Sequence, residues 1–148
     1  MTILTTAELP TRAVCWHDES IVIIGNPLNP LVDANQVYNF CVYQNAAANG
    51  DMFSQSVFLR AGTYTFSVLG ETTNASGLAD WYLDGSLVVS GQDWYSAGTT
   101  RNVVKSTVSI TIASDGYHVL KGTVNGQNGA SGGYELRLTK MWFKQTAD

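Results

Sequence analysis

The side chains best suited to chemistry concentrate in WYLDGSLVVSGQDWY, residues 81–95, which holds Trp81, Tyr82, Trp94 and Tyr95 beside Asp84, Gln92 and Asp93. Apolar sugar faces stack on aromatic rings, and sugar hydroxyls need paired donors and acceptors. These residue types together therefore suit a ligand platform. Strand geometry limits that reading. Neighbouring residues on a strand point to opposite faces, so each Trp-Tyr pair splits, one ring inward and one outward. Trp94 and Tyr95 sit in the more loop-like surroundings, and a ligand or neighbouring subunit is expected there.

Other constellations are weaker. Cys15, His17, Cys41 and His118 could supply zinc ligands, and the two-residue spacing of Cys15 and His17 places both on one strand face. A close second ligand pair is missing, so buried thiols and ordinary histidines are expected, with no metal. His17-Asp18-Glu19 suggests acid–base work, but adjacent strand residues diverge and no G-x-S-x-G stretch supplies a nucleophile. No catalytic residue and no cofactor are expected. An enzyme would require His17, Asp18 and His118 to face one pocket. Asp80, Asp84 and Asp93 lack the ordered spacing of a calcium loop, and Asp84-Gly85 already has a sufficient reason as a turn. An NASG sequon at Asn74 reads as a chance match.

Composition narrows the function classes. Charged residues make up 14% of the 148, against roughly 25% in an average globular chain. Much of the surface is then neutral and polar, which suits packing on other protein or binding neutral ligands. The net charge is −4 and the basic residues are scattered, so binding to nucleic-acid phosphates is disfavoured. No apolar run is long enough to span a membrane. MTILTTAELPTR lacks a basic start and a sufficient apolar core, so a secretory signal is not expected. At this length one domain is the default, and it can bury about 68–70% of its unfolded surface without disulfides.

The elements that must position these residues read as strands. Residues 1–13 look like an extended arm in which Ile3 and Leu4 would dock on a neighbour, with the domain occupying 14–148. The run Ile21 to Ile24 fits a buried strand. NPLNPLVDANQ reads as a loop, and VYNFCVYQN as a central strand. MFSQSVFLRAGTYTFSVLG reads as a hairpin with Tyr64, Phe66 and Val68 on one face. DWYLDGSLVV is a second hairpin about Asp84-Gly85. SGQDWYSAGTTRN and NGQNGASGG read as loops. VVKSTVSITIASDGYHVLKGTV again reads as strand, turn, strand, and YELRLTKMWF as a closing strand. Trp142 and Phe143 fall on opposite faces of that strand, so Trp142 is a candidate contact. No convincing helix appears. The fold class is all-β, a jelly-roll β-sandwich.

A weak internal repeat links residues 59–83 with 112–138. In each copy an aromatic-rich strand is followed by an ASG loop, at 75–77 and 130–132, and then by another amphipathic strand. One unit in each sheet is the expectation; two unrelated hairpins with similar turns are the alternative.

AGTYTFSVLG, WYLDG, SDGYHVLKGTVNGQN and YELRLTKMWF together resemble the strand pattern of jelly-roll carbohydrate-binding-module-like domains. The resemblance covers residues 56–143. With QDWYSAG and no export signal, the chain is similar to versions found in bacteriophage virion proteins. That likeness implies a capsid decoration (cement) protein, a homotrimer in the virion, assembled in the host cytoplasm. Its partners would be the major capsid protein or other virion proteins. The alternative it implies is a carbohydrate- or receptor-binding module of a fibre or spike, with a glycan as partner. Neither reading involves nucleic acid or a membrane.

Overall fold

The structure, a computed structural model, describes residues 49–148 and four strands before them. Those four are β1 (Thr11–Val14), β2 (Val22–Ile24), β3 (Leu28–Leu31) and β4 (Cys41–Gln44). Then come β5 (Met52–Leu59), β6 (Gly62–Thr72), β7 (Gly77–Leu83), β8 (Ser86–Asp93), β9 (Thr100–Ile112), β10 (Gly116–Gln127) and β11 (Leu136–Ala147). Ile3, Leu4, Cys15, His17 and Asp18 lie outside the described residues, while residues 11–13 of the expected arm lie in β1.

The strands pair antiparallel into two sheets. One runs β3-β4-β11-β6-β9, with β1 also paired to β11; the other runs β2-β5-β10-β7-β8. The chain is an all-β jelly-roll sandwich. The turn at 84–85 closes the β7–β8 hairpin, whereas 60–61 and 113–115 carry the chain from one sheet to the other, so the hairpin expected over 52–70 does not form: β5 pairs with β10 and β6 with β9. Asp84 and Gly85 both have positive φ, 49° and 79°. That is the requirement of a type I′ turn, which matches the twist of the flanking strands.

The two sheets meet through alternating apolar residues. Tyr64, Phe66 and Val68 of β6 are buried, as expected from their spacing, and so are Trp81 of β7, Leu59 of β5 and Leu120 of β10. Phe66 meets Trp81 edge-on at 5.3 Å between ring centroids and Phe143 at 4.9 Å. Such pairs add to the free energy of area burial by about 0.5–1.5 kcal/mol each.

Three local expectations change. NPLNPLVDANQ is not wholly a loop, because β3 occupies its Leu28–Leu31. Pro30 is tolerated there because β3 is the edge of its sheet, where one side of the strand needs no ladder donor. SGQDWYSAGTTRN is shorter as a loop than expected, since β8 runs through Asp93 and β9 starts at Thr100. The repeat units do not occupy one sheet each. Each crosses between sheets, β6 to β7 and β10 to β11, and the first strand of each unit pairs with the second strand of the other: β6 with β11, and β10 with β7. The two ASG loops pack on each other. Ser131 Oγ donates to the Ser76 carbonyl at 2.8 Å, and Gly132 N–H to the Asn74 carbonyl at 2.8 Å.

A register shift in β11 decides which ring faces inward. Leu136 and Leu138 are buried, and strict alternation would carry Trp142 inward after them. The shift between Leu138 and Lys140 reverses the parity. Met141 and Phe143 are therefore fully buried, and Trp142 is half-buried with the Lys140 ammonium 5.4 Å from its ring.

Next to the core, Gly70 leaves no room for a side chain. A Cβ there would sit 2.4 Å from the Arg137 carbonyl oxygen and 2.9 Å from the Trp94 ring. Gly70→Ala is therefore expected to destabilise the protein by about 1–3 kcal/mol, read as a lower urea midpoint with an unchanged m-value.

Candidate functional site

The expected platform divides into four places. Trp81 and Trp94 are both 0% exposed, so neither offers a ring face to a ligand. This corrects the expectation for Trp94, which leaves β8 and turns back between the sheets. Its backbone N–H bonds the Gly77 carbonyl at 3.2 Å, and its carbonyl accepts from Thr73 N–H at 3.3 Å. Gln92 is likewise committed inward. Its Oε1 accepts from Trp81 Nε1 at 2.9 Å and from Trp94 Nε1 at 3.1 Å. One amide oxygen thus satisfies both indoles.

Asp93 and Tyr95 lie at the end of the sandwich where the ASG loops meet. One Asp93 oxygen accepts from Tyr95 N–H at 2.8 Å and the other from Asn128 Nδ2 at 2.7 Å. Asp80 is tied in the same manner, to Gly91 N–H and to Asn125 Nδ2. Asp84 is at the opposite end, because the eight residues of β8 separate it from Asp93. Among the described residues, no three acidic, histidine or cysteine side chains gather where a metal could sit. Nearby, burial works against charge on Arg137, but Glu71 at 2.7 Å and Glu135 at 3.1 Å outweigh it and keep the guanidinium protonated.

The Asp84 end is more open. The His118 ring meets the Asp84 carboxylate at 2.6 Å, and Val119 N–H donates to the other oxygen at 2.8 Å. Partial burial opposes the Asp84 charge, yet these two hydrogen bonds and the nearby imidazole hold its carboxyl below the ordinary 3.8. An ionised carboxylate only accepts, so His118 Nδ1 carries the proton. His118 Nε2 is buried without a hydrogen bond. A cleft of about 290 Å³ opens beside this pair. Its apolar walls are Leu83, Val88, Ile110 and Ile112, and Ser86 and Ser114 add hydroxyls. Neither serine bonds Nε2, so no nucleophile–base pair is assembled.

A surface that the sequence reading missed lies on the outer face of β5, β10, β7 and β8. Tyr117 is 80% exposed and Phe58 37% exposed, edge-to-face at 5.4 Å. Val119 and Leu87 are also exposed. Tyr82, the outward member of its pair, is half-buried with Lys121 Nζ 4.1 Å from its ring centroid. The signal was present in the alternation of Tyr117 and Val119 with the buried Leu120, since outward apolar residues on a strand need an explanation.

Gln92→Leu keeps the volume and orphans two buried indole donors. A loss of about 2–6 kcal/mol is expected at roughly 1–3 kcal/mol per unsatisfied group, measured by urea unfolding followed through tryptophan fluorescence. Asp84→Asn keeps the positive-φ turn and removes the charge. Because the folded carboxyl titrates below the unfolded one, its contribution is present above pH 3.8 and lost as pH falls through the folded value. Thermal melts should show the variant destabilised by under about 1 kcal/mol at neutral pH, and the gap closing below pH 4.

No protein-family model matches the sequence, and neither does any curated protein. Solved structures do. A Paenibacillus xanthan lyase is similar over 95% of this chain and 13% of its own, with a TM-score of 0.75 and 21% identity. The CBM36-1 domain of a multidomain xylanase from the hindgut metagenome of Trinervitermes trinervoides is similar over 93% of this chain and 98% of its own (TM-score 0.66, 15% identity). Carbohydrate-binding module CBM36 in complex with calcium and xylotriose matches over 92% of this chain and 100% of its own, with a TM-score of 0.58 and 18% identity. This chain thus spans a small part of the lyase and nearly the whole of the two modules. It shares the β-sandwich fold of carbohydrate-binding modules.

Proposed function

We propose that this chain is a non-catalytic carbohydrate-binding domain that holds a polysaccharide against the outer face of the β5-β10-β7-β8 sheet. The observation that carries the reading is Tyr117. A tyrosine 80% exposed on a sheet wall, braced edge-on by Phe58, offers the flat apolar surface on which a sugar ring stacks. Val119, Leu87 and the Tyr82–Lys121 pair extend that surface across the sheet. The low charge of the chain suits a neutral ligand.

The similar structures support this reading. Two of them are carbohydrate-binding modules matched over nearly their full length, and one of those holds xylotriose. Capsid decoration, with its trimer and its major capsid protein partner, finds no such support. The calcium of the xylotriose complex has no evident counterpart among the described aspartates. No cluster of three acidic, histidine or cysteine side chains forms among the described residues.

Affinity electrophoresis and calorimetry against xylan, mannan and xanthan test the proposal. The wild type is expected to be retained by at least one of them, and Tyr117→Ala to bind about tenfold more weakly, a loss of about 1.4 kcal/mol. Retention lost in Tyr95→Ala but kept in Tyr117→Ala would move the ligand to the loop end. Absence of binding to every polysaccharide would overturn the reading.

A further inference from the structure

We propose that the cleft beside the Asp84–Gly85 turn is a second sugar site, built for a single pyranose ring at the end of a glycan chain. The inference rests on the carbohydrate-binding reading and adds to it a separate subsite with its own chemistry.

Size comes first. At about 290 Å³ the cleft lies at the lower edge of small-molecule pockets, which run from about 300 to 1,000 Å³. It suits one ring and not a chain. A pyranose has an apolar face and a rim of hydroxyls. Leu83, Val88, Ile110 and Ile112 supply apolar wall, while Asp84, Ser86 and Ser114 supply polar atoms. Ser86, Ser114 and Asp84 are exposed, so a ligand in the cleft can reach them.

Asp84 is the anchor. Its side chain is 49% exposed and ionised, and it is already held in place. His118 Nδ1–H takes one oxygen and Val119 N–H the other. Each carboxylate oxygen accepts more than one hydrogen bond. Capacity therefore remains for two neighbouring sugar hydroxyls, and bonds to a charged acceptor are the strong ones. His118, whose partly exposed ring also lines the cleft, acts through Asp84 as a positioning residue. Fixing the carboxylate in advance reduces the ordering cost of binding.

Location ties the cleft to the wall. Tyr117 and His118 are consecutive on β10, so one side chain faces outward and the next inward at the same end of the sheet. A glycan stacked on Tyr117 can end its path in the cleft by passing the rim beside Asp84.

Chemical-shift titration of the full chain with methyl β-xyloside, methyl α-mannoside and methyl β-glucoside, each to millimolar concentration, tests the site. At least one glycoside is expected to shift the amides of Asp84, Ser86 and Ser114 in a saturable manner. Asp84→Asn, which keeps the turn, is expected to weaken that binding at least tenfold, and so is Ser114→Trp, which fills the cleft from an exposed position. Absence of saturable shifts at those amides with all three glycosides, or wild-type binding in Asp84→Asn, overturns the cleft site. If polysaccharide retention persists alongside that result, the carbohydrate reading stands and only the cleft falls. Glycoside shifts without polysaccharide retention support the cleft and sink the sheet-wall platform.

Discussion

The core of this sandwich depends on one amide oxygen. Trp81 and Trp94 are among its largest side chains, and each carries an N–H that cannot be buried free. Gln92 Oε1 accepts from both. That arrangement lets two indoles lie fully between the sheets while Gln92 itself remains on β8. Its consequences spread outward. Trp94 must leave the strand to reach the shared oxygen, and its ring then lies where a Cβ on Gly70 would stand. Lys105 of β9 lies with its ammonium 5.3 Å from the same ring, so the edge of the second sheet is drawn against it. The residues that looked most like a ligand platform are therefore the ones the fold cannot release.

A second constraint follows from the pairing of the repeat units. Because β6 pairs with β11 and β7 with β10, the loops that join the two strands of each unit arrive at the same place. Their exchange of backbone and Ser131 hydrogen bonds closes one end of the sandwich. Asp80, Asp93, Asn125 and Asn128 extend this closure, since their side chains bond one another and nearby backbone. Polar residues at that end thus have structural work. At the opposite end, the tight Asp84–Gly85 turn and the short 113–115 connection leave a cleft uncovered. The asymmetry of the two ends is what makes the Asp84 end available.

What could be read from the sequence follows the physics of each signal. The all-β class, the hairpin about Asp84-Gly85 and the turns near residues 60 and 114 were legible, because alternation and turn chemistry are local; that the strands flanking those last two turns join different sheets is a long-range outcome. The inward set Tyr64, Phe66 and Val68 was legible for the same reason. Which of Trp142 and Phe143 faces inward was not, because a register shift between Leu138 and Lys140 reverses the count. The fate of Gln92 was also hidden: a glutamine beside two tryptophans looks the same whether it faces a sugar or their indoles. Asp84 was legible both as a turn residue and as a candidate contact. Its partner His118, 34 residues away, could come only from the pairing of β10 with β7.

The wall and the cleft also answer why Asp84 is an aspartate and not the asparagine that the turn would equally accept. Backbone geometry alone asks for a residue tolerant of positive φ, and asparagine meets that demand as well. Charge at this position is held by a histidine from the neighbouring strand and a backbone N–H, both at hydrogen-bond distance. A half-exposed carboxylate–imidazole hydrogen bond of this kind contributes little to stability. Its geometry is nevertheless tightly specified, and the carboxylate borders an open, partly apolar cleft next to an exposed tyrosine. A costly arrangement with little return in stability, placed at the open end of the sandwich, is better explained by what it presents to a ligand than by what it does for the turn.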